Sequence, residues 1–204
     1  MPLAREGWPF VLLPALLGAG LLLARLYWLG GCSLLAAVFC AFFFRDPDRR
    51  VPSGAGLVVS PADGRVVQVV GAPAGHDGTQ ISIFLSIFDV HVNRAPIAGR
   101  IAKVDYHPGE FLPAFDDKAS LRNEQNTVTV EDGATRVVFK QIAGLIARRI
   151  VFRKGVGDAV ERGERVGLIR FGSRVDVFVP QDFVVRVKRG ERVSAGTSIL
   201  AERR

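Results

Sequence analysis

Residues 168–178 read Leu168-Ile169-Arg170-Phe171-Gly172-Ser173-Arg174-Val175-Asp176-Val177-Phe178, an apolar and β-branched run that is interrupted at its centre by a Gly-Ser pair. The composition of the run predicts buried β-structure. Glycine inside such a run is typical of a β-bulge or a bend, because it relaxes the backbone and leaves no side chain to pack. On local grounds the pair therefore indicates a bend and no chemistry.

An internal repeat flanks this run. Arg162-Gly163-Glu164-Arg165-Val166 precedes it, and the same letters return afterwards as Arg189-Gly190-Glu191-Arg192-Val193. Each copy lies between apolar runs, so each predicts a strand, a turn and a second strand. Two such β-turn-β units are typical of the barrel-sandwich core found in biotinyl and lipoyl carriers.

The chain from Val51 onward has β patterning throughout. Short apolar runs alternate with turn residues, a spacing typical of β-sandwiches and small barrels. The predicted elements are a turn at 60–64, strands at 65–70, 81–88 and 99–106, and a hairpin of 127–130 and 135–142 around Glu131-Asp132-Gly133. Residues 110–125 are expected to form a helix or an irregular lid. We therefore predict a mainly β (α+β) fold with a barrel-sandwich-like domain that contains the repeat.

The N-terminal segment is of a different kind. Residues 8–44 are apolar apart from Arg25, which divides them into stretches of 17 and 19 residues, each close to the roughly 20 that cross a bilayer as a helix. The doubled length argues against a cleaved signal peptide. A membrane-spanning helical hairpin is expected, and Pro9 and Pro14 leave a re-entrant or surface-lying hairpin as the alternative. The expected far-side turn comprises Tyr27, Trp28, Gly30 and Gly31.

An abrupt change to charge and proline follows the apolar segment, at Phe44-Arg45-Asp46-Pro47-Asp48-Arg49-Arg50. It divides the chain into a membrane-associated hairpin with a basic linker, residues 1–50, and a β domain, residues 51–204. Arg5 lies on one flank of the hairpin, and several arginines lie on the other. The positive-inside rule then predicts a cell-membrane protein with both ends of the hairpin, and hence the β domain, on the cytoplasmic face.

The composition agrees with a chain that meets a membrane. The 204 residues are 49% hydrophobic, with a mean hydropathy of +0.24, which is too apolar for a plain soluble domain. The net charge of +7 and a pI of about 10.1 fit an anionic partner, such as nucleic acid or phospholipid headgroups. Nucleic acid has little support, because the aromatic residues cluster in the N-terminal segment and not among basic residues.

Cysteine and histidine usage narrows the chemistry further. Cys32 and Cys40 both lie in the apolar segment, so neither a disulfide framework nor a cysteine-based zinc site is expected in the β domain. The three histidines are His76, His91 and His107, and no two of them have the spacing of metal ligands. We therefore predict no metal site.

Two polar residues lie beside predicted strands. Asp63 belongs to an Ala-Asp-Gly turn, where turn chemistry alone explains an aspartate. His91 follows Asp89 by two residues at the end of an apolar strand, and alternate strand residues share a face. A structural and a catalytic histidine both fit that position. Lys118, in Asp117-Lys118-Ala119, resembles the modified lysine of lipoyl carriers, so the alternative function is a membrane-anchored, non-enzymatic biotinyl or lipoyl-like carrier or adaptor.

Six motifs occur in an order that resembles one family. They are Ser60-Pro61-Ala62-Asp63-Gly64, Phe88-Asp89-Val90-His91-Val92-Asn93-Arg94-Ala95-Pro96, Tyr106-His107-Pro108-Gly109, Asp117-Lys118-Ala119-Ser120, Asn123-Glu124 and Arg170-Phe171-Gly172-Ser173-Arg174-Val175-Asp176. The apolar N-terminus that ends in Phe44-Arg45-Asp46-Pro47 matches as well. Over essentially its whole length the chain resembles the short-chain, prokaryotic-type phosphatidylserine decarboxylases, which are pyruvoyl-dependent.

The resemblance implies a carboxy-lyase proenzyme that makes its own cofactor. Ser173 would attack the carbonyl of Gly172, with His91 as the base and Asp63 as the carboxylate that orients the base. The resulting ester would eliminate to dehydroalanine, which would hydrolyse with loss of ammonia to a pyruvoyl group at residue 173. The chain would thereby be cut into a β subunit, 1–172, and an α subunit, 173–204, which remain together as a heterodimer.

The resemblance also implies the reaction. The pyruvoyl carbonyl would form a Schiff base with the amine of phosphatidylserine, and loss of CO2 followed by protonation would give phosphatidylethanolamine. His91 would donate that proton as well. The hairpin would hold the site at the membrane surface, where anionic headgroups could meet Arg148, Arg149, Arg153 and Lys154.

The sequence departs from longer members of the family at two places. Arg94 stands where those members carry a second histidine, and the cleavage site reads Phe171-Gly172-Ser173-Arg174 in place of Leu-Gly-Ser-Thr. The role of the base would then fall to His91 alone or be shared with another group. His107, which precedes Pro108-Gly109, is the second candidate.

Overall fold

The computed structural model describes residues 2–109, 123–144, 149–170 and 172–204. Contacts divide the chain into two compact units, Met1–Asp48 and Arg49–Arg204, whereas the sequence suggested a boundary after Arg50. Most of the expected lid at 110–125, and the Asp117-Lys118-Ala119 motif of the carrier alternative, lie outside the described residues.

The first unit is a helical hairpin. A 3-10 turn at Arg5–Gly7 leads into α1, Trp8–Leu23, and α2 spans Tyr27–Phe43. Arg25 has a φ of +60° between the helices, and the amides of Leu26 and Arg25 donate to the carbonyls of Leu21 and Leu22 at 2.9 Å each. This is the Schellman pattern of a helix C-terminus. The turn expected at Tyr27–Gly31 is therefore wrong, because these residues already form the first turn of α2.

Small residues let the two helices pack closely. A Cβ on Gly18 would lie 2.9 Å from the Leu34 side chain and 3.1 Å from the carbonyl oxygen of Gly30. The Ser33 hydroxyl donates across the hairpin to the carbonyl of Pro14 at 2.7 Å. By length and composition Arg5–Leu23 could cross a membrane, whereas α2 is shorter.

The second unit is built from β-strands. Within the described residues these are β1 Leu57–Val59, β2 Gly64–Gly71, β3 Thr79–Leu85, β4 Val92–Arg94, β5 Gly99–His107, β6 Gln125–Asp132, β7 Thr135–Ala143, β8 Ile150–Phe152, β9 Ala159–Val160, β10 Arg165–Ile169, β11 Ser173–Val179, β12 Phe183–Val185, β13 Arg192–Val193 and β14 Ile199–Arg203. A curled sheet of eight strands has the order β13-β2-β3-β11-β7-β6-β5-β9. Two three-stranded sheets have the orders β1-β14-β12 and β4-β10-β8. The mainly β fold with an N-terminal helical hairpin confirms the predicted class.

The internal repeat folds into two turns of the same design. In the first copy the Glu164 amide donates to the Glu161 carbonyl at 3.0 Å, and the Glu164 side chain accepts from the Glu161 amide at 2.8 Å. In the second copy Glu191 makes the same pair of bonds with Lys188, at 3.2 and 3.1 Å. The repeated letters therefore encode one self-capped turn that is used twice.

The opening run does not form one bent strand. β10 ends at Ile169 in the sheet β4-β10-β8, and β11 begins at Ser173 in the eight-stranded sheet. Of the bulge or bend expected at Gly172-Ser173, the bulge is wrong, because the pair lies at the junction between strands of two sheets, whereas a bend is present at Gly172. The hairpin predicted around Gly133 is present as β6 and β7.

β11 is central to the second unit. It pairs with β3 along one edge and with β7 along the other, and all of its residues are buried. Successive strand residues point to opposite faces of a sheet. Val175, Val177 and Val179 therefore share one face, and they belong to the main apolar core. Ser173 begins the strand on that same face.

Candidate active site

Ser173 is placed in the interior by β-pairing on both sides. It lies opposite Leu85 of β3 and Ala143 of β7, and it is fully buried. Its hydroxyl has no hydrogen-bond partner among the described residues. A buried, unsatisfied hydroxyl is costly and uncommon in folded proteins, so it needs an explanation beyond packing. A hydroxyl held for a reaction supplies one.

Gly172 adopts a left-handed backbone conformation. Its φ is +63°, in the left-handed region that favours glycine. Apart from its chain neighbours, no described atom lies within 4 Å of a Cβ built at this position. The requirement for glycine here is thus one of backbone conformation and not of space. The peptide bond that would be attacked begins at a residue whose conformation is accessible to glycine and disfavoured for residues with a Cβ.

His91 contacts the backbone amide of Gly172, one peptide bond before the bond that would be attacked. It is buried in the segment between β3 and β4, and its Nε2 lies 3.2 Å from the Gly172 amide nitrogen. Its Nδ1 lies 2.9 Å from the carbonyl oxygen of Asp89. A carbonyl only accepts and an amide N–H only donates, so the two contacts assign the neutral tautomer with the proton on Nδ1. The lone pair of Nε2 therefore accepts from the amide of the residue before Ser173, and among the described residues no hydrogen bond joins it to the Ser173 hydroxyl.

A tight turn holds the carbonyl that fixes this tautomer. The Asp89 side chain accepts from the amide and the hydroxyl of Ser86 at 2.8 and 2.7 Å, and the Asp89 amide donates to the Ser86 carbonyl at 2.9 Å. On the other side of the histidine, the Ile169 amide donates to the His91 carbonyl at 3.3 Å. The sequence reasoning missed this role of Asp89, although its Ser-x-x-Asp spacing is a turn signal.

Asp63 lies in the predicted turn before β2, but its hydrogen bonds go elsewhere. Its Oδ2 accepts from Arg49 at 2.7 Å, and its Oδ1 accepts from the Ala195 amide at 2.7 Å. The described contacts include no hydrogen bond between Asp63 and His91. The turn itself docks on β4, since the Pro61 carbonyl accepts from the Arg94 amide at 2.9 Å. Orientation of the base by Asp63 stays a prediction.

His107 is not brought to the serine. It lies opposite Gln125 of β6, which lies opposite Ile142 of β7, which in turn lies opposite Arg174. His107 is thus on the face of the sheet that carries Arg174, and it is three strands away from β11, about 14 Å at the usual strand spacing. Its side chain is 56% exposed. This geometry favours His91 as the base.

A buried polar chain that the sequence reasoning missed lies on the face of Ser173. Gln141 of β7 is on the same face as Ala143, the partner of Ser173. The Gln141 amide donates to the Asn93 side chain at 2.8 Å and accepts from Asn126 at 3.0 Å. Strand alternation could have shown that a glutamine occupies a core-facing position. The chain places amide groups near the site without adding an ionisable group.

The residues present fit a pyruvoyl group formed in place. The serine from which it would form is buried, with an unsatisfied hydroxyl; a glycine in the left-handed conformation precedes it, and a neutral histidine accepts from the amide of that glycine. In the described parts of the chain, no group of three or more His, Cys, Asp or Glu side chains is placed to hold a metal ion. The fit to a pyruvoyl group therefore rests on Ser173 and on the His91–Gly172 contact before it.

Comparison with known proteins identifies the family. The model of the phosphatidylserine decarboxylase family matches residues 36–201. The chain is 58% identical to a phosphatidylserine decarboxylase proenzyme of Solibacter usitatus, over 83% of this chain and 81% of that protein. It is 48% identical to one of Symbiobacterium thermophilum, over 97% and 94%, and 46% identical to one of Burkholderia mallei, over 98% and 94%.

These relatives support the decarboxylase prediction and give no support to the carrier or adaptor alternative. The family model matches most of the β domain. Two of the three relatives also align with nearly the whole of this chain and of their own. The chain therefore belongs to the phosphatidylserine decarboxylase family.

Proposed function

We propose that this chain is a proenzyme that cuts itself between Gly172 and Ser173 and then converts phosphatidylserine to phosphatidylethanolamine and CO2. The observation that carries the proposal is the contact of His91 Nε2 with the Gly172 amide, beside the buried and unsatisfied hydroxyl of Ser173. Family membership supports the decarboxylation, and the term proenzyme in the names of its relatives supports the cleavage.

Self-cleavage begins with the serine as nucleophile. His91 Nε2 takes the proton of the Ser173 hydroxyl, and the oxygen attacks the Gly172 carbonyl carbon. The C–N bond breaks, the nitrogen of residue 173 takes up the proton, and an ester joins the two residues. Loss of the α-proton of residue 173 then expels the Gly172 carboxylate and leaves dehydroalanine. Hydrolysis releases ammonia and leaves a pyruvoyl group at the start of the fragment 173–204.

The two fragments stay together in this proposal because their strands are interleaved. β11 is held between β3 and β7, β13 pairs with β2, and β14 pairs with β1. The 32-residue fragment thus contributes to two sheets whose other strands come from residues 1–172. A stable heterodimer of the cleaved subunits is the expected product.

The pyruvoyl group supplies a carbonyl that binds the amine of the substrate and takes up the electrons left by departing CO2. The chain itself supplies proton transfer and exclusion of water. His91 is the residue that would hold a proton on Nε2 and deliver it to the carbon that has lost CO2. The burial of residue 173 keeps bulk water from the site, which strengthens polar interactions there.

The location of the enzyme forms part of the proposal. The apolar hairpin would attach the protein to the cell membrane, and the arginines of the linker favour the cytoplasmic face. Arg149 and Arg153 add positive charge to the β domain, whereas Lys154 is paired with Glu164 at 2.6 Å. Arg148 lies outside the described residues. An anionic phospholipid surface is the partner that this charge fits.

Intact mass of the purified full-length chain tests the proposal. The wild type is expected as two species, residues 1–172 and a fragment 173–204 that is lighter than its serine form by one ammonia. Ser173→Ala is expected to give one uncut species. His91→Gln keeps a hydrogen-bond acceptor for the Gly172 amide but removes the base, so self-cleavage should slow by about 10²–10⁴-fold.

His107→Gln is the matched control, because it makes the same change at an exposed histidine on the other face of the sheet. It should cleave and decarboxylate as the wild type does. Cleavage of Ser173→Ala at the same bond would refute the mechanism. Loss of cleavage in His107→Gln, with His91→Gln unaffected, would transfer the role of the base to His107.

A further inference from the structure

A buried ion pair lies on the other face of β11 from Ser173. Arg174 and Asp176 alternate with Ser173, Val175 and Val177, so their side chains leave the apolar core face. The Nε of Arg174 donates to Oδ1 of Asp176 at 2.6 Å, and the two side chains are 4% and 1% exposed. Charges are rarely buried to this extent unless they are paired and hydrogen-bonded, and the self-cleavage mechanism above uses neither residue.

Among the described residues, the further hydrogen-bond partners of this pair lie in residues 1–172. Arg174 Nη2 donates to the hydroxyl of Ser82 at 2.8 Å and to the side-chain oxygen of Gln68 at 3.3 Å. Asp176 Oδ2 accepts from Gln80 at 3.1 Å. The network thus ties the start of β11 to two neighbouring strands, β3 and β2, through side chains.

Lys140 of β7 faces the same network. It lies directly opposite Asp176. Burial lowers its pKa, and the Asp176 carboxylate acts in the opposite sense. The surroundings of the ion pair are therefore poorly hydrated, and in such surroundings hydrogen bonds to charged groups are strong.

Cleavage changes what holds residue 173 in place. In the uncut chain, peptide bonds on both sides restrain it. In the cut chain it is the first residue of a fragment, and ends of strands fray unless they are tied down. A slip by one residue would turn Arg174 toward the apolar core and would move residue 173 to the other face. A buried arginine in that core would be uncompensated, so the network penalises the slip.

We propose that the Arg174–Asp176 pair is a register lock, which holds residue 173 opposite Leu85 and Ala143 once the bond before it is cut. The two residues are positioning residues and not catalytic ones, because they act through the strand and from the face opposite to the reacting group. The inference rests on the proposed self-cleavage. In this inference, Arg174 and Asp176 position residue 173 after cleavage, whereas His91 and Gly172 already act during self-cleavage.

The test compares the lock in cut and uncut chains of the full-length protein. Arg174→Met/Asp176→Val removes both charges together, because replacement of a buried pair by apolar residues is often neutral for stability whereas loss of one partner is not. Self-cleavage should proceed to completion. Hydrogen exchange at the amides of residues 174–176 should then become about tenfold faster than in the cut wild type, the factor expected for loss of one charge-assisted hydrogen bond.

The same double substitution in a Ser173→Ala background reports on the uncut chain. There the peptide bond restrains the strand, so exchange should match that of Ser173→Ala alone. In the cut enzyme, kcat should fall about tenfold with KM unchanged, because the reacting group is misplaced while the lipid contacts remain. Arg174→Lys keeps the charge but lacks the planar fork that reaches three acceptors, so its kcat should be intermediate.

The control removes another ion pair of the same fragment. Asp182 pairs with Arg203 at 3.1 Å, and both side chains are about half exposed. Asp182→Val/Arg203→Met should leave exchange at 174–176 and kcat unchanged. Wild-type exchange and kcat in the cut Arg174→Met/Asp176→Val enzyme would overturn the lock. Equal acceleration of exchange in the uncut background would overturn it too, since the pair would then be ordinary structural support.

Failure of the proposed function gives a different result. A wild-type chain that remains uncut would refute the self-cleavage and the lock together, whereas a cut and active wild type with insensitive variants refutes the lock alone. If the apolar double variant does not fold, Arg174→Lys carries the test by itself. Wild-type kcat and wild-type exchange in Arg174→Lys, with the cut chain intact, would then count against the lock.

Discussion

Substitutions at Gly172 should slow self-cleavage in the order of their tolerance for the left-handed conformation. The φ of +63° costs a residue with a Cβ about 1–2 kcal/mol. The described atoms leave open space around a Cβ at this position, so steric contact adds nothing to that cost. Residue 172 lies directly before the start of β11, so a substituted chain can relieve the strain at this residue by leaving the left-handed conformation. The cleavage-competent geometry then costs up to the full amount.

The expected slowing for Gly172→Ala is therefore up to roughly 5- to 30-fold. Gly172→Asn should be slowed less, because asparagine enters the left-handed region more readily, and Gly172→Val should be slowed more, because a β-branched residue there is an outlier. A pulse-chase of the full-length chain in cell-free translation measures the rate, with the 173–204 fragment followed on a denaturing gel.

Gly133→Ala is the matched control. Gly133 also has a positive φ, +57°, and open space around a Cβ, but it lies in the turn between β6 and β7. It should lower the free energy of unfolding by about 1–2 kcal/mol and leave the cleavage rate unchanged. Cleavage of Gly172→Ala at the wild-type rate would refute the reasoning. So would equal slowing in Gly133→Ala, which would trace the effect to global stability.

Two further predictions concern other parts of the molecule. In α1, Gly18→Val should destabilise the hairpin by about 1–3 kcal/mol, because a Cβ at this position meets the partner helix. A Cβ at Gly20 meets no described atom, so Gly20→Val should destabilise the hairpin less, and thermal melting in detergent micelles compares the two variants. Burial, followed by the charges of Lys140 and Arg136, lowers the pKa of His76. The unfolded chain then binds the proton more readily, so the melting temperature should fall as the pH drops below about 6.5, and His76→Gln should lose part of that fall.

The strands were predictable because their residues alternate or are continuously apolar, and these are local properties. The same local properties could not predict that one strand ends and another begins at the break before Ser173. A glycine followed by serine has the same letters whether a strand bends or ends, and only the pairing partners of β10 and β11 distinguish the two. The turn of the helical hairpin was placed too late for a related reason. Glycines and aromatic residues suggested a turn, but Arg25 adopted the left-handed conformation instead.

Some residues of the candidate site could be named from the sequence, and others could be recognised only in the structure. Ser173 and His91 could be named through the resemblance to a family, and the structure places His91 against Gly172. The carbonyl of Asp89 could not be named, because a backbone group leaves no mark in the sequence. The hydrogen bonds of Arg174 could not be predicted either, because Ser82 and Gln68 lie far from it in sequence. The pairing of β3 with β11 and β2 brings them to it.

The position proposed for the scissile bond would reconcile cleavage with a stable product. If the bond lay inside a strand, its cleavage would disturb ladder hydrogen bonds on both sides. It lies instead between β10 and β11, which belong to different sheets, and directly before the first paired residue of β11. The proposed cut would therefore change the ladders only at Ser173, whose amide nitrogen leaves as ammonia, and the new chain end would already lie in the interior. A buried ion pair immediately after that end is what such an arrangement needs, because no peptide bond then restrains residue 173 from the other side.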